Sequence, residues 1–179
     1  MDAVIEEQKA GDLEAIEALL DLAFGRDRHQ KTAYRLRDNV GPVDELSLVA
    51  RLDGELVGTI RFWPVVIVDG DGRQWDALLL GPIAVDPALK GVGIGKRLMQ
   101  EGLARAQAMG HGLVILVGDL DYYGKMGFVR VPGGRLIFPG WVDEARVLYR
   151  ELTPGAFERV AGQVQPAGAG AGGLQKNRL

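Results

Sequence analysis

Ile83-Ala84-Val85-Asp86-Pro87-Ala88-Leu89-Lys90-Gly91-Val92-Gly93-Ile94-Gly95-Lys96-Arg97-Leu98-Met99 is the stretch that decides the fold of this 179-residue chain. An apolar strand enters a glycine-rich turn, and the turn opens directly into an amphipathic helix. Gly91, Gly93 and Gly95 remove the Cβ atoms where a backbone would wrap an anion. The helix that follows directs its free N–H groups and its positive dipole end at the turn. The pattern predicts a phosphate cradle.

Spacing excludes two common owners of such a cradle. A P-loop requires Gly, four residues, then Gly-Lys and a hydroxyl residue. Counting back from Gly95-Lys96, Lys90 occupies the first glycine position, and Arg97 stands where the hydroxyl belongs. A dinucleotide fingerprint requires G-x-G-x-x-G, and here the third glycine comes one residue early. What remains is a basic residue followed by x-x-G-x-G, carried by Lys90 to Gly95.

The residues around the turn predict a mixed sheet. Val4 to Gln8 reads as a short strand. Leu13 to Phe24 reads as a helix with Asp12 as its cap, an apolar stripe of Ile16, Leu19, Leu20 and Ala23, and Gly25 as its stop. A second helix is expected within the basic run 26–37. Leu46–Leu52 and Glu55–Trp63 flank Asp53-Gly54, a two-residue hairpin signal. Val65–Val68 continues that strand, and Asp69-Gly70-Asp71-Gly72 turns it into Gln74–Val85, with Gly81-Pro82 as a bulge or kink. A helix over Gly93 to Met109 follows, with Leu98, Met99, Leu103 and Ala106 on one face. Leu113–Val117 is apolar throughout, as suits a strand buried on both sides. Strand, crossover helix and strand give one parallel step with a right-handed connection. A short helix to Met126, a Gly127 cap and a strand over Phe128–Val131 come next. Further strand is expected in Arg135–Phe138 and in Trp141–Glu151, and a helical turn or two in Pro154–Gln163. The fold class is α/β of the α+β kind: one domain over 1–164, six to seven mostly antiparallel strands, one parallel β-α-β step and helices on both faces. Residues 165–179, which include Pro-Ala-Gly-Ala-Gly-Ala-Gly-Gly, read as a disordered Gly/Ala-rich tail.

Composition narrows the chemistry. A net charge of −3 implies no general attraction to nucleic acid or membranes. There is no cysteine, which excludes disulfides, thiolate metal sites and cysteine nucleophiles, and suits a cytoplasmic location. The N-terminus is acidic and lacks the apolar run of a signal peptide, and no apolar stretch is long enough for a membrane span. The sole serine, Ser47, falls in a predicted strand without elbow glycines, which argues against a serine hydrolase. Two histidines, His29 and His111, are too few and too far apart for a zinc site, so no metal is expected.

A second motif gives the cradle an owner. Tyr123-Gly124-Lys125-Met126-Gly127-Phe128 begins 28 residues after Gly95, room for one helix and one strand. Lys90 to Gly95, with the strand before it, resembles the acyl-CoA-binding motif of the GNAT superfamily of N-acetyltransferases. The second motif is similar to that family's Y-x-x-x-G-F element after the fifth strand. The resemblance covers roughly residues 4–150. Gly118-Asp119-x-x-Tyr122-Tyr123-Gly124 looks like one bacterial branch of uncharacterised predicted acetyltransferases. Lys90 stands where most members carry Arg or Gln, and Val117, Gly118 and Asp119 stand where many carry an asparagine.

The resemblance implies a site and a reaction. The pyrophosphate of CoA would rest on the N–H groups of Val92, Gly93, Ile94, Gly95, Lys96 and Arg97, with Lys90, Lys96 and Arg97 adding charge and Gly91 in the turn. The pantetheine arm would pair with the free edge of Ile83, Ala84 and Val85, where the parallel strands splay. An amine of a small molecule or protein would attack acetyl-CoA directly in a ternary complex. The N–H of Ala84 or Val85 would steady the oxyanion, and Tyr123 would protonate the leaving thiolate. That last transfer is uphill by roughly 2 kcal/mol at the ordinary pKa values of about 10 and 8.5. No base stands out; Asp76, Glu55 and Asp119 are candidates. The basic run 26–37 reads as a solvated face, although the resemblance sets the first two helices along the acceptor site, near Arg28, His29 and Tyr34. Tyr122 reads as packing. Strands near Trp141 are candidates for pairing two copies into a homodimer. The alternative is an acyl-CoA sensor of the same fold with little or no catalysis. The missing glutamate on the fourth strand and the missing asparagine favour that alternative, and Tyr123 disfavours it.

Overall fold

The computed structural model describes residues 2–37 and 40–167. The chain runs β1 (Val4–Glu7), α1 (Leu13–Phe24), α2 (Thr32–Arg35), β2 (Leu48–Leu52), β3 (Glu55–Val68), β4 (Gln74–Val85), α3 (Ile94–Ala108), β5 (Leu113–Val117), α4 (Leu120–Tyr123), β6 (Val129–Arg130), β7 (Leu136–Ile137), β8 (Val147–Glu151) and β9 (Gly162–Pro166). The sheet order is β1-β2-β3-β4-β5-β8-β6, and β9 pairs with both β3 and β7. All pairings are antiparallel except β4 with β5 and β7 with β9.

The Asp53-Gly54 hairpin forms as expected, with positive φ at both turn residues. The two faces of the sheet follow from side-chain alternation. Ile60, Phe62, Leu78, Leu80, Val114 and Leu116 point to α3 and enclose its buried Leu98, Met99, Leu103 and Ala106. Trp63, Val65, Leu79 and Ile115 point to the opposite face, under Phe138, Phe157 and Val160. There α1 also lays Ile16, Leu19 and Leu20 against Val49 and Ala84. The expected Asp12 cap takes another form. Asp12 accepts from the Lys9 N–H (2.8 Å) and from Arg51 Nη2 (2.6 Å), and gives no side-chain cap to α1.

The bulge in β4 is the feature that shapes the molecule. Ile60 pairs with Ile83 and Phe62 with Leu80, so β4 spends one residue more than β3 across Gly81-Pro82. The extra residue switches the alternation. Leu78 and Leu80 face α3 before it, and Ile83 and Val85 do so after it. The parallel pairing of β4 with β5 covers only Leu78 with Val114 and Leu79 with Ile115. Beyond that point the two strands part.

Two expectations are corrected. The basic run 26–37 is a 3₁₀ turn over Arg26–Gln30 and the single-turn α2, separated by an extended Lys31, not one helix. Nine strands form among the described residues where six to seven were expected, in part because 154–163 makes turns and then feeds β9. β9 pairs with Val65–Val68, the part of β3 that extends past β2, and so satisfies main-chain groups that would otherwise form an open edge. β9 ends at Pro166, and 168–179 of the expected tail lies outside the described residues.

The contact of α3 with the sheet is close at Gly102. A Cβ there would lie 2.5 Å from Cε1 of Phe62, whose ring is fully buried. Overpacking of this kind costs about 1–3 kcal/mol, which outweighs the roughly 1 kcal/mol gained in helix propensity. Gly102→Ala is expected to lower the midpoint of thermal unfolding, and adding Phe62→Leu to restore much of the loss; calorimetry of both variants checks this.

Candidate active site

Where β4 and β5 separate, a cleft of about 1300 Å³ opens, lined on one side by Leu80–Val85 and on the other by Val117, Gly118 and Asp119. One end reaches the glycine turn and the start of α3. The other reaches Arg28, Tyr34 and Arg37. Tyr122 and Tyr123 form part of its wall.

The glycine turn is built by local hydrogen bonding. Asp86 accepts from the Ala88 N–H (2.9 Å) and starts a 3₁₀ turn over Pro87–Leu89. Gly91 and Gly93 then take φ of 88° and 93°, values that a side chain would strain. The helical ladder begins with the Arg97 N–H on the Gly93 carbonyl (3.1 Å). This leaves the N–H groups of Ile94, Gly95 and Lys96 without intrahelical acceptors. The Val92 N–H is already spent on the Leu89 carbonyl (3.2 Å).

The cleft brings together Ile83, Ala84, Val85, Lys90, Gly91, Gly93, Ile94, Gly95, Lys96 and Tyr123. Val92 and Arg97, expected in the same set, do not line it. Their N–H groups are used within the turn, and the Arg97 side chain lies beside Ile5, Gln100 and Glu101 elsewhere. Main-chain direction refines the strand edge. Asp86 donates its N–H to Val57 on β3 (2.8 Å). By alternation Ala84 also turns its main chain to β3, while Ile83 and Val85 present theirs to the cleft. Of the two expected oxyanion donors, Val85 is therefore the one that faces the space.

Tyr123 lines the cleft beside Gly118 and Asp119. Its ring packs edge-on against Phe128 (centroids 6.0 Å) and Tyr122 (4.9 Å). Gly118 makes room for it, since a Cβ at Gly118 would overlap the Tyr123 ring. Gly118 opens the motif Gly118-Asp119-x-x-Tyr122-Tyr123-Gly124, and the fold shows what its missing side chain makes room for. Burial, with further contributions from Tyr122 and Asp119, pushes the Tyr123 hydroxyl up to about 12, and Arg146 opposes the shift. Tyr122, expected to serve as packing, extends its hydroxyl to within 3.0 Å of where a Gly95 Cβ would be, and so touches the cradle.

Of the candidate bases, Asp119 alone lines the cleft. It is an exposed residue paired with Arg146 (3.2 Å). Asp76 pairs with Val66 far from the opening, and Glu55 begins β3. Trp141, expected on a strand, lies in a loop that borders the cleft.

The basic run is a solvated face only in part: Arg26, His29, Lys31 and Arg35 are exposed, while Arg28, Tyr34 and Arg37 turn inward. Arg28 is 3% exposed and ion-paired to both Glu17 and Asp21. Tyr34 and Arg37 line the cleft, the Arg37 guanidinium lying 4.2 Å from the Tyr34 ring centroid and 5.5 Å from that of Trp63. His29 stays on the exposed side, edge-on to Tyr34 (5.1 Å). The fold brings Arg37, which no motif marks, against the β4 bulge.

Known proteins share this arrangement. A family model described as an acetyltransferase (GNAT) domain matches residues 4–131. The uncharacterised N-acetyltransferase YhbS of Escherichia coli K12 is 35% identical over 118 residues, which is 65% of this chain and 68% of that protein. A crystal structure of Escherichia coli YhbS in complex with CoA superposes with a TM-score of 0.75 and 29% identity, over 94% of this chain and 92% of the other. A GNAT family acetyltransferase from Brucella melitensis, solved in complex with acetyl-CoA, gives 0.58 and 33% identity over 72% and 83%. By sequence and by architecture, the chain belongs to the GNAT acetyltransferase family.

Proposed function

We propose that this protein transfers an acetyl group from acetyl-CoA to an amine by direct attack in a ternary complex. The observation that carries the reading is the continuous cleft between the parted strands, whose lining joins Ile94, Gly95 and Lys96 at the start of α3 to Tyr123. The CoA and acetyl-CoA complexes of the two solved relatives support it.

The residues fit the donor. Ile94, Gly95 and Lys96 supply main-chain donors for a diphosphate, with the Lys90 and Lys96 ammonium groups beside them. Ile83 and Val85 offer main-chain groups to the amides of an extended arm, as an added strand would use them. The acetyl-CoA thioester supplies the electrophilic carbonyl and a thiolate leaving group. A bond forms between the amine nitrogen and the carbonyl carbon, and the carbon–sulfur bond breaks. The Val85 N–H meets the charge that develops on oxygen.

An amine with a pKa near 10.4 is only about 0.04% neutral at pH 7, so its proton must leave before attack. Asp119, open to water on the cleft wall, is the carboxylate placed to pass it to solvent. The raised hydroxyl changes what Tyr123 contributes. Complete transfer from a group near 12 to a thiolate near 8.5 is uphill by roughly 5 kcal/mol. Tyr123 therefore acts chiefly by donating a hydrogen bond to the departing sulfur.

Two outcomes test this reading. Lys96→Glu is expected to weaken acetyl-CoA binding about tenfold at low salt, with the difference shrinking as ionic strength rises; isothermal calorimetry at two salt concentrations reads it. Tyr123→Phe is expected to lower kcat about 10- to 100-fold with acetyl-CoA affinity held within about twofold. Because the Tyr123 hydroxyl stays protonated, kcat/KM of the wild-type protein should rise up to about pH 9.5 without a falling limb from this group. An unchanged kcat in a folded Tyr123→Phe variant removes Tyr123 from the mechanism.

A further inference from the structure

The closed end of the cleft contains donors with nothing to receive them. Arg37 Nε and Nη1, the Tyr34 hydroxyl and Arg28 Nε are buried, and among the described residues they have no hydrogen-bond partner. All three residues line the cleft. A guanidinium has five N–H donors and no acceptor, so a ligand that completes this set must bring acceptor oxygens.

The charges at this end do not balance. Arg28 is held by Glu17 and Asp21. Arg61, 8% exposed, donates to Gln8 Oε1 (3.0 Å) and lies 3.9 Å from Glu17. Glu17 and Asp21 together supply two negative charges against the three positive charges of Arg28, Arg61 and Arg37. Arg37 makes no ion pair among the described residues. Its neighbours are the rings of Tyr34 and Trp63, the repelling charge of Arg61 and the main chain of Gly81. Among these inward-facing arginines Arg37 is the one left without a counter-charge, and it points to an anionic ligand. Burial holds Arg37 down to about 10, a desolvation penalty that a bound anion would offset.

Position links this charge to the reaction. A Cβ built on Gly81 would lie 3.2 Å from Arg37 Nη2. Gly81 is the bulge residue at which β4 leaves β5, and its carbonyl accepts from Trp63 Nε1 (2.6 Å). Arg37 therefore stands at the apex of the opening, and Ile83 and Val85 lead from there to the glycine turn.

Building on the proposed transferase reading, we infer that the acceptor is a small amine carrying a carboxylate, and that Arg37, with the Tyr34 hydroxyl, binds that carboxylate and fixes which amines are accepted. A guanidinium without a counter-ion favours such an amine over the lysine side chain of a protein, which brings no anion of its own to this position. Lys31 and Arg35 line the cleft only as exposed side chains, so the buried part of the site offers one guanidinium, which matches a carboxylate better than a phosphate dianion.

The test uses matched amines: one with a carboxylate, one with the same group as a neutral carboxamide, and one with a phosphate. Each is titrated by calorimetry into protein saturated with CoA, and assayed with acetyl-CoA for thiol release. The carboxylate form is expected to bind at least about tenfold more tightly than the amide and to show the lower KM. Arg37→Gln should abolish that preference while CoA affinity stays within about twofold. Arg37→Lys should retain part of it, and Tyr34→Phe should reduce it. Equal or tighter binding of the amides or phosphates, binding of none of the three forms, or an Arg37→Gln variant that keeps the preference overturns the inference. If Arg37→Gln does not fold, the wild-type ratio and Tyr34→Phe decide. Failure of the transferase reading is separate: it would appear as no heat on titrating acetyl-CoA into the folded wild-type protein.

Discussion

A parallel pair of strands that pairs for two residues and then stops is the constraint on which this molecule depends. Leu78 and Leu79 of β4 bond to Val114 and Ile115 of β5. After them, the extra residue at Gly81-Pro82 bends β4 away. The core tolerates the separation because the same insertion resets side-chain alternation, so that Ile83 and Val85 still bury themselves under α3. Without the reset, one of the two faces would lose its apolar surface. The separation leaves main-chain groups of Ile83 and Val85 unpaired inside the protein, a costly arrangement unless a ligand or water completes them.

The two ends of the cleft have different chemistry. At the α3 end the positive character comes from main-chain amides, the helix dipole and exposed lysines, which suits a flexible, highly charged diphosphate that must arrive and depart. At the opposite end it comes from inward-facing guanidinium groups, Arg28 held by carboxylates and Arg37 by aromatic rings, which suits a small ligand recognised by shape and charge. Tyr123 lies between them with its proton retained. Burial, more than any one neighbour, sets that state.

Small residues position the reactive ones. Gly118 yields its side-chain volume to the Tyr123 ring, Gly95 to the Tyr122 hydroxyl, and Gly81 to the Arg37 guanidinium. Each is a close approach between a backbone and a functional side chain. Gly95 belongs to a motif and could be read as part of one. Gly118 also opens a motif, but what its missing side chain accommodates is visible only with the Tyr123 ring in place, and Gly81 looks like an ordinary bulge glycine until Arg37 is in view.

The amino-acid sequence by itself determined the hairpin at Asp53-Gly54, the long strand with its interruption, the cradle and its helix, the buried β5 and the position of Tyr123. These rest on local turn chemistry and on periodicities within one element, which a linear string preserves. Tertiary structure alone decided that Val92 and Arg97 face away from the cleft, that Val85 rather than Ala84 offers its N–H, and that β9 closes the edge of β3. It also decided that Arg37 ends beside Gly81, 44 positions further along the chain. The physical reason is common to all four. Burial, strand direction and unmet hydrogen bonds are properties of groups brought together from distant parts of the chain, and no local pattern records them.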